Sequence, residues 1–147
     1  MLWAVLVLIH ILAASFWVGG QLMLVVVVMP ALRSGGSPTL VRELASAAGR
    51  RFAWVTNWVL LPVLVVSGIA LAALNGVRPG NLTTTPFGRV LLVKAALVGA
   101  VFALAAVHGL AARRLPAHRT RLLAAVTLAG SIAILGLGSA LAVLPEP

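Results

Sequence analysis

The chain opens on an uncharged apolar run that is long enough to cross a lipid bilayer. It extends from Leu2 to Met29 and reads LWAVLVLIHILAASFWVGGQLMLVVVVM. About 20 apolar residues span the hydrocarbon layer at a helical rise of roughly 1.5 Å per residue. No basic residue precedes the run, and it is about twice as long as the apolar part of a secretory signal. We therefore expect a retained transmembrane helix.

The remainder of the chain is similarly apolar. Of 147 residues, 62% are hydrophobic and 9% are charged, which is more apolar surface than a soluble domain of this size can bury. The arginines lie in short segments between apolar runs, so the net charge of +9 indicates membrane topology and not nucleic-acid binding. Without cysteine, the chain has no disulfides, thiolate metal sites or cysteine catalysis.

Four apolar runs predict an all-α integral membrane protein, a single domain built as a four-helix antiparallel bundle. The segment 31–51 contains a Gly/Ser/Pro break and a weakly amphipathic stretch, and we expect a loop with an interfacial helix there. Segments rich in turn formers or arginine separate the other runs. The predicted spans are 2–29, 52–74, 87–112 and 122–144.

Basic residues are distributed unevenly between the loops. The first and third loops carry eight arginines, whereas the second loop and its flanks carry only Arg78 and Arg89. Basic loops stay in the cytoplasm. We therefore expect a multi-pass protein of the inner (cytoplasmic) membrane, with both termini on the non-cytoplasmic side and the lipid bilayer as its main partner.

Polar side chains share one face of the first and third helices. Steps of four, seven and eleven residues from His10 lead to Ala14, Trp17 and Gln21, and Lys94 and His108 share a face in the third run. Lipid offers no partner for an imidazole, an amide or an ammonium, so these faces should point towards protein. Weaker stripes contain Asn57, Leu61, Leu64 and Gly68 in the second run, and Thr127, Ser131, Ile134 and Gly138 in the fourth.

The helical rise arranges these side chains in two polar layers. His10 lies about 12 Å and Lys94 about 10 Å below the outer ends of their helices, whereas His108 lies about 31 Å down. A gap of about 20 Å prevents the two histidines from binding one metal ion. The outer layer is predicted to hold His10, Lys94, Ser67 or Gly68, and Gly138 or Ser139; the inner layer is predicted to hold Gln21, Asn57, His108 and Thr127.

Each polar residue also has a structural interpretation. His10 or His108 is either a metal ligand, a proton carrier, or a neutral histidine hydrogen-bonded to a neighbouring helix. Lys94 either faces the bundle interior or extends its ammonium towards the outer surface. Trp17 is either a cofactor contact or a packing residue.

Three sequence motifs resemble the copper-resistance D superfamily of small membrane domains. They are HILAASFWVGG, RRFAWVTNWVLLPVLVVSGIALA and TPFGRVLLVKAALVGAVFALAAVHG. The resemblance implies a four-helix domain and copper uptake or tolerance at the inner membrane, and a related family is the membrane protoporphyrinogen oxidase, which binds b-type haem. The positions that it singles out are His10, Trp17, Gly19, Gly20, Gly88, Arg89 and Lys94.

Three functions remain open from the sequence. A haem b protein is favoured, because a single histidine can hold haem, and Arg89 (for His10) or Arg113 and Arg114 (for His108) could pair with the propionates. Such a protein would carry out electron transfer or porphyrinogen-type oxidation. Its partners would be a quinone or a redox protein, and it could form a homodimer. The alternatives are copper uptake or homeostasis, and a structural or assembly subunit without a cofactor.

Overall fold

A computed structural model of the protein describes residues 1–111 and 117–144. These residues are almost entirely helical and contain no strand. Two π-helical segments interrupt the α-helices, Met23–Val28 between the first and second and Thr56–Leu60 between the third and fourth. The α-helices are α1 (Leu2–Leu22), α2 (Met29–Gly35), α3 (Pro38–Val55), α4 (Leu61–Leu74), α5 (Pro86–Ala111) and α6 (Ala117–Leu141).

Within the described residues, four continuous helices are long and apolar enough to cross a membrane. They cover Leu2–Gly35, Pro38–Leu74, Pro86–Val107 and His118–Leu141. The predicted class, an all-α membrane protein, is therefore confirmed, and the orientation of the termini stays a prediction. By internal contacts the chain divides into two compact units, Met1–Ala72 and Ala73–Pro147.

The first unit is an antiparallel pair of long helices. α1 packs on the π-helical segment Thr56–Leu60, and the buried apolar side chains there include Ala13, Trp17 and Leu60. Gly20 lets the ring of Phe52 approach so closely that a Cβ atom would lie 2.3 Å from the Phe52 Cε2 atom. The backbone of α1 at Gly20 therefore contacts the Phe52 ring of α3.

The helix predicted within residues 31–51 is present, whereas the predicted loop is reduced to a short break. α2 ends at Gly35, and α3 begins at Pro38, so the break is confined to Gly36 and Ser37. Ser37 caps α3 through its hydroxyl, which accepts from the Leu40 N–H (3.4 Å), and Pro38 has the backbone angle that a first helical turn needs. These two residues start a helix that continues directly into the second span.

The second unit is the pair α5 and α6, joined to α4 by a folded turn. Gly76 adopts a positive φ of 74°, and the Asn81 side chain accepts from the Arg78 N–H (2.8 Å) and donates to the Gly76 carbonyl (3.0 Å). Thr85 caps α5, because its hydroxyl accepts from the Gly88 N–H (3.1 Å). The buried side chains of this unit include Phe87, Val101, Ser131 and Ile134.

Candidate functional site

The central polar contact of the first unit joins His10 on α1 to Ser67 on α4. The His10 Nδ1 atom lies 2.7 Å from the Ser67 Oγ atom, and Ser67 is 3% exposed. The single hydroxyl hydrogen of Ser67 is donated to the Val63 carbonyl of its own helix. With that hydrogen directed to Val63, a neutral His10 in the Nδ1–H tautomer donates to Ser67 and has its lone pair on Nε2.

A glycine leaves space beside the imidazole. A Cβ atom on Gly68 would lie 3.3 Å from the His10 Cε1 atom and 3.9 Å from Nδ1. An added methyl at this position would press on the imidazole, which would have to shift by a few tenths of an ångström. The prediction that His10 lies at the level of Ser67 or Gly68 is therefore confirmed.

An apolar groove runs beside this pair between α1 and α4. Its volume is about 360 Å³, and its lining includes Leu6, Ile9, Pro62 and Val66, with Ser67 as the polar member. That volume lies within the usual range of small-molecule sites, roughly 300–1,000 Å³. The groove gives the His10–Ser67 pair an apolar neighbourhood on one side.

The stripe predicted on α1 faces protein, as expected. Trp17 is 5% exposed, and His10, Ala14 and Gln21 are half-buried. Trp17 therefore packs in the interior of the unit, two turns from His10. This location fits the packing interpretation of Trp17, and its predicted contact with a cofactor stays a prediction.

The stripe predicted on the second helix is shifted by one residue. Asn57 is exposed, whereas Thr56 and Leu60 are buried. Regular counting back from Gly68 leads to Asn57, but the π-helical segment Thr56–Leu60 adds about one residue to the turn and brings Thr56 onto the buried face. The assignment of Asn57 to an inner polar layer is thus wrong.

Thr56 is a buried polar residue whose burial the sequence does not predict. Its Oγ1 atom is inaccessible and has no hydrogen-bond partner among the described residues. The buried hydroxyl of Ser131, by comparison, donates to the carbonyl four residues earlier, and so does Thr127. A threonine within an apolar run is common in membrane helices, so only the helical irregularity distinguishes this one.

In the second unit, the ammonium of Lys94 lies against Gly138 of α6. A Cβ atom on Gly138 would be 3.3 Å from the Lys94 Nζ atom, and the Lys94 side chain is half-buried. Gly138 is in the last turn of α6, where the helix dipole presents partial negative charge. The predicted sharing of one level by Lys94 and Gly138 is confirmed.

The remaining predicted site residues are not brought into a common site. Arg89 is exposed, and its Nε atom donates to the Thr83 carbonyl (2.8 Å) within the turn that precedes α5. The side chain of His108, and Arg113 and Arg114, lie outside the described residues. Pairing of Arg89 with a cofactor on His10 joins residues of different units and stays a prediction.

Over residues 1–111 and 117–144, no three histidine, aspartate or glutamate side chains come together to hold a metal ion.

Comparison with known proteins identifies the family of the chain. A protein of Aquifex aeolicus (strain VF5), described as uncharacterized, is 36% identical over 72 residues; these are 48% of this chain and 49% of that protein. The chain thus spans about half the length of this curated relative. No solved structure matches. Residues 46–144, more than half of the chain, match the profile of the family described as copper resistance protein D, and the chain therefore belongs to the CopD family.

Proposed function

We propose that the protein holds a redox-active metal cofactor within the membrane through the imidazole of His10, and that this cofactor is b-type haem. The observation that carries the proposal is the His10–Ser67 contact of 2.7 Å. Metal-bound histidines characteristically donate their second ring N–H to a fixed acceptor, which sets the tautomer and the ring plane. Ser67 would be such an acceptor for the Nδ1–H, and Nε2 would then be the atom that binds the metal.

The ligand set fits haem better than a multidentate copper site. One imidazole is sufficient to hold haem iron. A protein copper site draws on several soft or imidazole ligands, whereas this sequence has no cysteine and the described residues hold no cluster of three potential ligands. The apolar groove lined by Leu6, Ile9 and Pro62 would take the hydrocarbon part of a porphyrin or of a quinone partner.

The chain's own residues would have distinct tasks around such a cofactor. His10 would bind it, Ser67 would orient the ring by accepting the Nδ1–H, and Gly68 would keep the space beside Cε1. When bound, haem supplies one-electron and oxygen chemistry. Electron transfer or porphyrinogen-type oxidation in the inner membrane is the function that we propose on this basis.

Family membership favours a second candidate, copper uptake or homeostasis in the inner membrane. The matched residues 46–144 contain Ser67, Gly68 and Lys94, while His10 precedes them. Under this candidate, His10 would be one ligand along a path, and His108 would be another. A subunit without a cofactor would use the same polar contacts only to fix helix packing.

A reduced-minus-oxidised absorption spectrum and elemental analysis of the purified protein test these candidates together. We expect Soret and α bands from about one haem per chain, and we expect His10→Ala to remove them. Ser67→Ala should keep the fold and lower haem affinity by roughly 10- to 100-fold, the range found when an outer-shell partner is lost.

His118→Ala is the matched control, because His118 is an exposed histidine at the start of α6. Full haem content in His10→Ala would contradict the assignment and leave His108 as the ligand to test next. A colourless protein that carries stoichiometric copper would establish the second candidate, and a protein that carries neither would favour the subunit without a cofactor.

A further inference from the structure

The two long helices of the first unit, Leu2–Gly35 and Pro38–Leu74, are longer than a membrane is thick. The first long helix has 34 residues and the second has 37, which correspond to roughly 51 and 56 Å. A bilayer has about 30 Å of hydrocarbon, with about 5–8 Å of headgroups on each side. Residues 29–51, here called the α2–α3 hairpin, lie at one end of both helices and carry the excess length.

The tryptophans of the second helix locate the edge of the bilayer. Trp54 and Trp58 are 61% and 72% exposed, as expected for side chains at a membrane interface. Leu44 precedes Phe52 by eight residues and Leu40 by twelve, which places them about 12 and 18 Å beyond it along the axis. With the hydrocarbon edge placed at the level of Phe52, both leucines lie past the headgroup layer, because the second long helix is continuous from Pro38 to Leu74.

These leucines form an apolar surface outside the lipid. Leu40 is 48% exposed and Leu44 is 44% exposed. They line a groove of about 150 Å³ between α2 and α3, together with Leu32 and Val41. Clustered apolar surface beside polar residues in water is typical of a protein interaction site.

Positive charge surrounds this surface. The α2–α3 hairpin contains Arg33, Arg42, Arg50 and Arg51, and Glu43 is its one acidic residue. Arg33 and Arg42 are both exposed, and each directly follows in sequence a residue that lines the groove, Leu32 or Val41. A second copy of the chain would present the same positive charge, so charge complementarity favours an acidic partner.

We propose that the α2–α3 hairpin is a docking surface for an acidic amphipathic helix of another protein. The partner's apolar residues would occupy the groove at Leu40 and Leu44, and its carboxylates would pair with Arg33 and Arg42. This is the helix-in-groove mode of recognition, in which apolar anchors give affinity and charges give orientation and a faster encounter. The proposal is independent of the cofactor at His10.

Fluorescence anisotropy with the intact protein in phosphatidylcholine nanodiscs tests the proposal. The probe is a labelled synthetic amphipathic helix with leucines on one face and glutamates on the other. We expect salt-sensitive binding that weakens by roughly tenfold or more in Leu40→Ser/Leu44→Ser and in Arg33→Gln/Arg42→Gln. The arginine variant should also reduce the salt dependence.

Two matched variants serve as controls, Arg78→Gln in the opposite loop and Leu2→Ser at the other end of the first helix; both should bind the probe as the wild type does. All four altered positions of the test variants are exposed, and circular dichroism verifies their helix content. Equal binding by the test variants, or equal binding of a probe with lysines in place of glutamates, overturns the proposal. So does binding that requires anionic lipid in the nanodisc, or a dimer that the leucine variant dissociates.

Discussion

At the scale of single residues, the hydroxyl groups within the helices differ in whether they have a hydrogen-bond partner. Ser67, Thr127 and Ser131 each donate to the carbonyl four residues earlier. Thr56 begins a π-helical segment, where the main chain departs from this spacing, and its buried Oγ1 atom has no partner among the described residues. An unsatisfied buried polar group costs about 1–3 kcal/mol.

Thr56→Val is therefore expected to stabilise the protein by about 1 kcal/mol, because valine keeps the branched shape and removes the unpaired hydroxyl. Thermal unfolding in detergent measures the change. Thr127→Val is the matched control and should give no gain, since its hydroxyl is already bonded to the Leu123 carbonyl. A loss of stability in Thr56→Val would show that its hydroxyl has a partner, such as a bound water.

At the scale of helices, α5 and α6 approach through a glycine. A Cβ atom on Gly130 would lie 2.5 Å from the Val101 Cγ2 atom, and Val101 is 4% exposed. Small residues permit such close packing of membrane helices, where dispersion contacts replace the hydrophobic effect as the driving force. The fully buried Ser131 lies next to this contact along α6.

Gly130→Ala is expected to destabilise the second unit by about 1–3 kcal/mol, because the added methyl overlaps Val101 and forces a shift in a packed interface. Adding Val101→Ala to this variant should restore part of the loss by making room. Gly136→Ala on the same helix has no atom within 4 Å of its new methyl, so we expect no destabilisation there. Retained stability in Gly130→Ala by thermal unfolding would contradict the close contact.

Periodicity and helical rise predict the polar contacts well wherever a helix is regular. Counting depth along α1 and α5 places His10 at the level of Ser67 or Gly68 and Lys94 at the level of Gly138 or Ser139, and the structure agrees. The same counting wrongly placed Asn57 on the buried face, because a π-helical turn adds about one residue there. No residue type in this segment predicts such a turn. Over residues 31–51 the sequence predicts a helix correctly, but the Gly/Ser/Pro break is shorter than expected, because helix resumes after two residues.

At the scale of the whole molecule, the distribution of arginine remains the basis for orientation. The α2–α3 hairpin and the segment before α6 are basic, and the turn between α4 and α5 is not. Because arginine-rich segments tend to stay in the cytoplasm, we expect both termini on the opposite side.

Reporter fusions after Gly36, Gly80 and Arg119 measure this orientation. We expect cytoplasmic activity after Gly36 and Arg119 and external activity after Gly80. Exchange of Arg33, Arg42, Arg50 and Arg51 for glutamine should weaken the preference, whereas exchange of Arg78 should leave it unchanged. External activity of the reporter after Gly36 would show that the whole chain has the opposite orientation.

The division of the chain at Ala72 also has a consequence for biosynthesis. Both ends of the His10–Ser67 hydrogen bond lie in the first unit. Chains fold in order of synthesis, so the first pair of helices can associate while the second unit is still on the ribosome. The imidazole therefore gains its acceptor when the second long helix joins the first in the membrane, and the contact requires no residue of the second unit.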